Sequence, residues 1–250
     1  MKNLLFTAAL AISALGFAGE THHSQEVHWG YTGATGPAHW GELSPAFIMC
    51  KIGKNQSPVD ISKEGLTKAC LQPLEVNYSA DARTILNNGH TIKVETSGES
   101  YIVLEGKKYY LRQFHFHTPS EHTINGKHYP MEVHFVHTDR EGNIAVIGVL
   151  FEVGKENSAL NRLIPYLPPK AGERVLLPLK FNPIYLLPQN RDYYRYSGSL
   201  TTPPCSEGVR WVVFKEAVEL SPEQLEAFKA AIGIENNRPV QPLNARRILY

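Results

Sequence analysis

The chain has 250 residues, 42% of them hydrophobic and 20% charged, with a formal net charge of +1 and no basic run. This is the composition of a globular protein with a large core; it argues against nucleic acid as a partner and for a small substrate steered at most by local charge. The three cysteines, Cys50, Cys70 and Cys205, lack Cys-x-x-Cys spacing, which excludes a cysteine zinc knuckle.

Residues 1–18 are a different material. Lys2 precedes an almost wholly apolar run from Leu4 to Phe17, and small residues stand at Gly16 and Ala18. That run is about 14 residues, short of the about 20 that a membrane-spanning helix needs. It reads as a secretory signal peptide cleaved near residues 18 and 19, and it predicts export to the periplasm or the extracellular space. No other segment reads as a membrane span. Residues 19–27, with His22 and His23, read as a flexible mature N-terminus, and residues 28–250 as a single domain. Two of the three cysteines are expected to pair in an oxidising compartment, and the residues alone permit all three pairings.

Ordered structure is expected to begin at His28-Trp29-Gly30-Tyr31, where bulky rings among Gly and Pro suggest an irregular segment pinned against a core. Short strand-like pieces follow at Leu74–Tyr78, Thr84–Asn87, Thr91–Glu95, Tyr101–Leu104 and Lys108–Thr118, separated by Asn-Gly and Ser-Gly turn signals. Met131–Thr138 and Asn143–Val153 read as a hairpin, with Ala145–Leu150 apolar enough to be covered on both faces. Asn157–Leu163 reads as a short helix, and Pro165–Pro188 as a Pro-rich loop. Ser221-Pro222-Glu223-Gln224 opens the clearest helix, with Leu225, Phe228 and Ile232 at helical spacing and Gly233 as the stop. The whole reads as one mainly β (α+β) domain, a large mostly antiparallel sheet with short helices outside it.

The stretch Gln113-Phe114-His115-Phe116-His117 carries the chemistry. Strand alternation puts Gln113, His115 and His117 on one face and the two phenylalanines on the other. His134 lies in the next strand-like run, Met131–Val136, after the turn signals Thr118-Pro119-Ser120 and Asn125-Gly126-Lys127. Antiparallel pairing of the two runs would gather three imidazoles at one point. Three protein ligands with a fourth position left to water make the catalytic type of zinc site. A His-x-His pair alone is weak, because such pairs occur by chance; the third His and the carboxylates Glu121 and Glu132 strengthen it.

Three further stretches accompany these strands: Gln56-Ser57-Pro58-Val59-Asp60-Ile61, Ser197-Gly198-Ser199-Leu200-Thr201-Thr202-Pro203-Pro204, and Asn237-Arg238-Pro239-Val240-Gln241-Pro242-Leu243. With Ser120-Glu121-His122 and Glu132-Val133-His134-Phe135-Val136-His137, they make the sequence resemble the α-class carbonic anhydrases from about Trp29 to Ile248. With its leader, the chain resembles the exported bacterial type.

The resemblance implies a twisted sheet of about ten mostly antiparallel strands, with one Zn²⁺ per chain at the floor of a conical cleft. It implies reversible hydration of CO₂ to bicarbonate and a proton by way of zinc-bound hydroxide. His115, His117 and His134 are the implied ligands; Gln113, Glu132 and the main chain of Asn236 hold their other ring nitrogens. Thr201 is implied to orient the hydroxide and donate to Glu121, with Thr202 beside the substrate. Val136, Val146, Leu200 and Trp211 form the implied apolar wall for CO₂. His90 is the implied proton shuttle, and Tyr31, Asn88 and Lys93 match positions that order cleft water. Lys93 departs from the amide or other polar residue often found there. Cys50 and Cys205 match a disulfide of exported members, leaving Cys70 as the free thiol. A homodimer is compatible with the resemblance, although the sequence carries no legible interface. The main alternative is a non-catalytic carbonic anhydrase-like binding protein, a class that usually lacks one or more of these histidines. A zinc hydrolase of the His-Glu-x-x-His kind is not supported by any motif present.

Overall fold

The protein is described by a computed structural model covering residues 27–250. The expected signal peptide, His22, His23 and all of the expected N-terminal tail except Val27 lie outside the described residues. Sixteen strands follow in order: β1 (Asp60–Ile61), β2 (Leu66–Thr67), β3 (Glu75–Asn77), β4 (Ala82–Asn87), β5 (Ile92–Thr96), β6 (Tyr101–Leu104), β7 (Lys107–His117), β8 (Thr123–Ile124), β9 (Lys127–His128), β10 (Met131–Thr138), β11 (Ile144–Val153), β12 (Arg174–Phe181), β13 (Tyr193–Ser199), β14 (Glu207–Phe214), β15 (Val218–Leu220) and β16 (Ile248–Leu249). Thirteen of them form one sheet, whose main path runs β12-β4-β5-β7-β10-β11-β14-β13-β16-β2, ten strands across. Most neighbours are antiparallel, but β11 pairs in parallel with β14 and β15, and β16 with β2.

The centre of the sheet follows from alternation. On β7, Phe114 and Phe116 are fully buried in the larger apolar cluster, where they pack with Val133 and Phe135 of β10 and with Phe228 of the helix α4 described below. Burying each ring contributes about 1.5–3 kcal/mol. Gln113, His115 and His117 take the opposite face. There a second cluster, with Val59, Val146, Leu150, Tyr196 and Trp211, forms the other layer. Residues 145–151 of β11 are buried throughout, as a central strand covered on both faces requires.

Helices are short: α1 (Trp40–Leu43), α2 (Met49–Ile52), α3 (Ser158–Asn161) and α4 (Pro222–Ile232). Only α4 is long. Ser221 Oγ accepts from the Gln224 N–H, the Gln224 side chain accepts from the Ser221 N–H, and Gly233 closes the helix at φ 77°. The expected helix over Asn157–Leu163 is reduced to α3, capped by Asn157 and followed by a 3-10 turn at Ile164–Tyr166.

One expectation fails outright. Residues 165–188 are not all loop, because they contain β12. Its Arg174, Val175 and Leu176 pair with Leu86, Ile85 and Thr84 of β4; the register then breaks, and Phe181 meets Ala82. Pro178 falls inside that break on an edge strand, where a missing N–H costs no ladder bond. Strands β13 and β14 fall where the sequence reading places no strand. In β13, Arg195 is buried like an apolar residue, its Nε donating to Glu105 at 2.8 Å and its Nη1 to the Tyr196 carbonyl at 2.6 Å.

Candidate metal centre

Two rows of residues cross the middle of the sheet on the same face. One runs Lys93, His115, His134, Gly148, Val213 and Tyr194 across β5, β7, β10, β11, β14 and β13. The next runs Glu95, Gln113, Val136, Val146, Trp211 and Tyr196 across the same strands. On the other side of the first row, His117 faces Glu132. The antiparallel β7–β10 register therefore brings all three expected ligands and two of their expected acceptors together.

Each imidazole has one nitrogen occupied. His115 Nδ1 donates to Gln113 Oε1 at 2.8 Å, His117 Nδ1 to the Asn236 carbonyl at 2.7 Å, and His134 Nε2 to Glu132 Oε1 at 2.8 Å. A neutral ring that donates from one nitrogen keeps a lone pair on the other. The lone pairs left are therefore His115 Nε2, His117 Nε2 and His134 Nδ1. The three rings supply ligand atoms within 4.8 Å of one another. His117 Nε2 is buried without a hydrogen-bond partner, as is the neighbouring Glu121 Oε2. Three converging imidazoles, one with an orphaned buried lone pair at His117 Nε2, fit a zinc ion of the catalytic type.

The family model for eukaryotic-type carbonic anhydrase matches residues 35–250. The chain belongs to the α-carbonic anhydrase family. Its relatives over nearly the full length are carbonic anhydrases, and with them the chain is an enzyme of this family, with CO₂ hydration as the general reaction. A carbonic anhydrase of Neisseria gonorrhoeae is 46% identical over 244 residues, covering 97% of this chain and 95% of that one. The α-carbonic anhydrase of Thermovibrio ammonificans, solved with the inhibitor sulfanilamide, is 61% identical, with a TM-score of 0.89 over 90% of this chain and 100% of that one. A hyperthermostable carbonic anhydrase identified from an active hydrothermal vent chimney is 57% identical, with a TM-score of 0.86 over 89% of this chain and 99% of that one.

Around the carbonic anhydrase histidines, charge is arranged in depth. Burial pushes His115 well below the usual imidazole range, with His117, His134 and Lys93 adding to the effect. Burial also lowers His117, against the pull of Glu121. At His134 burial is outweighed by Glu132 and Glu121, and the ring ends above its ordinary value. Glu132 is fully buried, which alone would raise its pKa, yet His122 and His134 hold it well below the usual carboxylate range. Its Oε1 meets both His134 and His122 Nδ1, the latter at 2.7 Å, and its Oε2 accepts the N–H groups of Glu121 and His122 at 2.9 Å each. The Tyr196 hydroxyl bridges His122 Nε2 at 2.7 Å and Ser57 Oγ at 2.9 Å. His122, Glu132 and His134 also come within ligand reach of one another, but their atoms are satisfied by these hydrogen bonds.

Glu121 departs from the expected relay. Its Oε1 accepts the Arg238 N–H at 2.8 Å, and its Oε2 is turned toward His117 Nε2 at 3.6 Å and His134 Nδ1 at 3.7 Å. No hydrogen bond joins the buried Thr201 to it in this arrangement, and Glu121 Oε2 is left buried without a partner. Thr201 and the half-buried Thr202 lie in the Leu200–Ser206 loop, closed by Leu200 N–H to Ser206 O at 3.0 Å and Cys205 N–H to Thr202 O at 2.9 Å. Cys50 and Cys205 form a disulfide, and Cys70 is free and exposed. Val146 and Trp211 are buried in one cluster, with Val136 and Leu200 packed against it.

His90 lies further out. Its ring stacks on Trp29 at 3.8 Å between centroids and 5° between planes, and burial together with His28 lowers its pKa. Tyr31 packs edge-on against Trp29 and Trp40. Asn88 does not direct its side-chain oxygen into the cleft: Oδ1 accepts the N–H groups of His90 and Thr91, capping their turn. Lys93 Nζ stands 3.4 Å from Glu95.

Sequence reasoning assigned no role to His122, Trp29, Gly148 or Arg238. Arg238 is 2% exposed, with Nη1 donating to Gln56 and Ser57 and Nη2 to the Cys50 carbonyl. It thereby ties the disulfide to the Gln56-Ser57 turn. An arginine amid prolines looks solvated in sequence; only its appearance inside a quoted motif could have marked it. A cavity of about 610 Å³ lined by Leu71, Arg191, Lys215 and Tyr250, among others, shares no residue with this site.

Proposed function

We propose that the chain catalyses the reversible hydration of CO₂ to bicarbonate and a proton, using one Zn²⁺ held by His115, His117 and His134. The observation that carries this reading is the convergence of three lone pairs whose rings are locked by Gln113, Asn236 and Glu132. In carbonic anhydrases, the general example of the effect, zinc lowers the pKa of bound water to near neutrality and so supplies hydroxide.

The chain's own residues do the rest. Gln113, Glu132 and the Asn236 carbonyl fix tautomer and ring orientation, which keeps the ligand lone pairs aimed at one point. CO₂ has no net dipole, and Val136, Val146, Leu200 and Trp211 offer it an apolar wall without competing hydrogen bonds. Thr202 lies beside the bound substrate. Thr201 would orient the attacking oxygen once its hydroxyl turns to donate a hydrogen bond to Glu121 Oε2, which is buried without a partner. His90 accepts the released proton at a ring nitrogen and passes it to buffer, since an imidazole titrates close to neutrality and can transfer in either direction. Tyr31 and Lys93 border the path between them. The disulfide and the signal peptide expected from the sequence of residues 1–18 both support export to the periplasm or beyond; among the described residues no helix is long and apolar enough to cross a membrane.

The test is CO₂ hydration by stopped flow on the protein as purified, after zinc removal and after zinc is restored. Activity should vanish and return with the metal. A protein that binds one zinc yet hydrates no CO₂ would instead be a binding relative, and the Thr201–Glu121 pair would be the first place to look.

A further inference from the structure

Lys93 carries a charge that the proposed proton path does not use. On β5 it lies directly opposite His115, so its side chain leaves the sheet on the face that carries the three imidazoles. Residues so paired have Cα atoms about 5 Å apart. The Lys93 side chain is 29% exposed and His115 is the least buried of the three histidines, so both border the open side of the centre. Glu95, opposite Gln113, stands 3.4 Å from the Lys93 ammonium, but the same carboxylate also takes a contact of 2.7 Å from Arg174. One carboxylate shared by two cations leaves this corner with a net positive charge. Of the buried carboxylates of the centre, Glu132 is held by His122 and His134, while Glu121 accepts the Arg238 N–H at Oε1 and turns Oε2 toward His117 and His134, the two histidines other than the one opposite Lys93.

The proposed reaction turns a neutral molecule into a monoanion at this spot, and a fixed cation beside it distinguishes the two. We propose that Lys93 is a specificity-determining residue that raises the affinity of the site for bicarbonate and other small monoanions relative to CO₂. The identity of its natural ligand rests on the proposed reaction; its physical content is anion binding beside three histidines. A unit charge ~8 Å from the anion, at an effective dielectric of ~40, changes affinity by about three- to tenfold.

The experiment loads the protein with cobalt(II) in place of zinc and follows thiocyanate binding by visible absorption. A non-reacting anion is the cleaner probe, because the fixed equilibrium constant of the reaction ties the kinetic constants for CO₂ and bicarbonate together. At low ionic strength Lys93→Gln should weaken thiocyanate binding about three- to tenfold, and Glu95→Gln should tighten it. Lys93→Arg keeps the charge and should stay within about twofold of the parent. The differences should shrink as salt shortens the Debye length from ~30 Å at 0.01 M to ~3 Å at 1 M. Unchanged affinity in Lys93→Gln overturns the proposal; so does equal weakening in Lys93→Arg, which marks a packing role. If the zinc protein fails to hydrate CO₂, the proposed reaction falls, while the cobalt titrations still decide the role of Lys93.

Discussion

A Cβ on Gly148 would lie 2.8 Å from Oε1 of Glu132. Gly148 is the residue of β11 directly opposite His134, so the missing side chain is what lets the Glu132 carboxylate sit beneath the ligand ring. That carboxylate cannot swing aside, because both oxygens are engaged, by His134 and His122 on one and by two backbone N–H groups on the other. Gly148→Ala should therefore misplace the acceptor of His134 and lower zinc affinity about ten- to a hundredfold, the range for losing such a partner. Competition with a chromophoric chelator measures it; an unchanged zinc affinity would show that the strand yields instead.

The stacking of His90 on Trp29 makes a second prediction. His90→Ala should lower the maximal hydration rate roughly tenfold or more in dilute buffer, with free imidazole restoring much of it. Trp29→Ala should change the dependence on buffer concentration less than His90→Ala does, since it leaves the ring in place and removes only its platform. A rate in dilute buffer that ignores the loss of His90 would remove it from the reaction.

The disulfide closes a separation of 155 residues and anchors the loop that carries Thr201 and Thr202. Cys50→Ser, or reduction, should cost about 2–5 kcal/mol of stability. Denaturant titration of oxidised and reduced protein gives the number. Reduction should also lower activity below the unfolding midpoint, because the loop is freed before the sheet melts.

His137 predicts a pH dependence. It is fully buried, with Nδ1 donating to the Ala145 carbonyl at 3.2 Å and Nε2 2.7 Å from the Tyr78 hydroxyl. Burial lowers its pKa from the ordinary 6.5 to about 3. Between those values the unfolded chain binds a proton that the folded chain refuses, so stability is present above 6.5 and is lost as pH falls toward about 3. The slope from this one group is at most about 1.4 kcal/mol per pH unit. His137→Gln should be less stable than the parent at about pH 7, by about 1–3 kcal/mol for disturbed buried hydrogen bonds. Its stability should then fall less steeply with acid. Urea titrations of both proteins with the metal removed, at about pH 7 and about pH 4.5, make the comparison. Parallel pH profiles would show that His137 is not the titrating group.

Strand alternation, Asn-Gly turns and the capped α4 were legible in the residues because each is a local rule: period two, φ above zero, an N-cap oxygen. The Lys107–His117 strand and the Met131–Val153 hairpin appear almost where the pattern puts them. β12 was not legible, because Pro178 reads as a break unless the strand is known to lie at an edge. Arg195 and Arg238 were not, because their burial depends on carbonyls and carboxylates from distant segments.

The same division holds at the site. Which face carries Gln113, His115 and His117 follows from the residues alone, since alternation along one strand needs no partner. That His134 lies opposite His115, that Asn236 arrives from the other end of the chain to hold His117, and that Glu132 serves His134 and His122 at once can be read only from the folded chain. Each of those is a matter of register or long-range closure, set by how whole strands pack, and a β10 register shifted by one residue would turn Glu132 and His134 away from the face of His115 and His117.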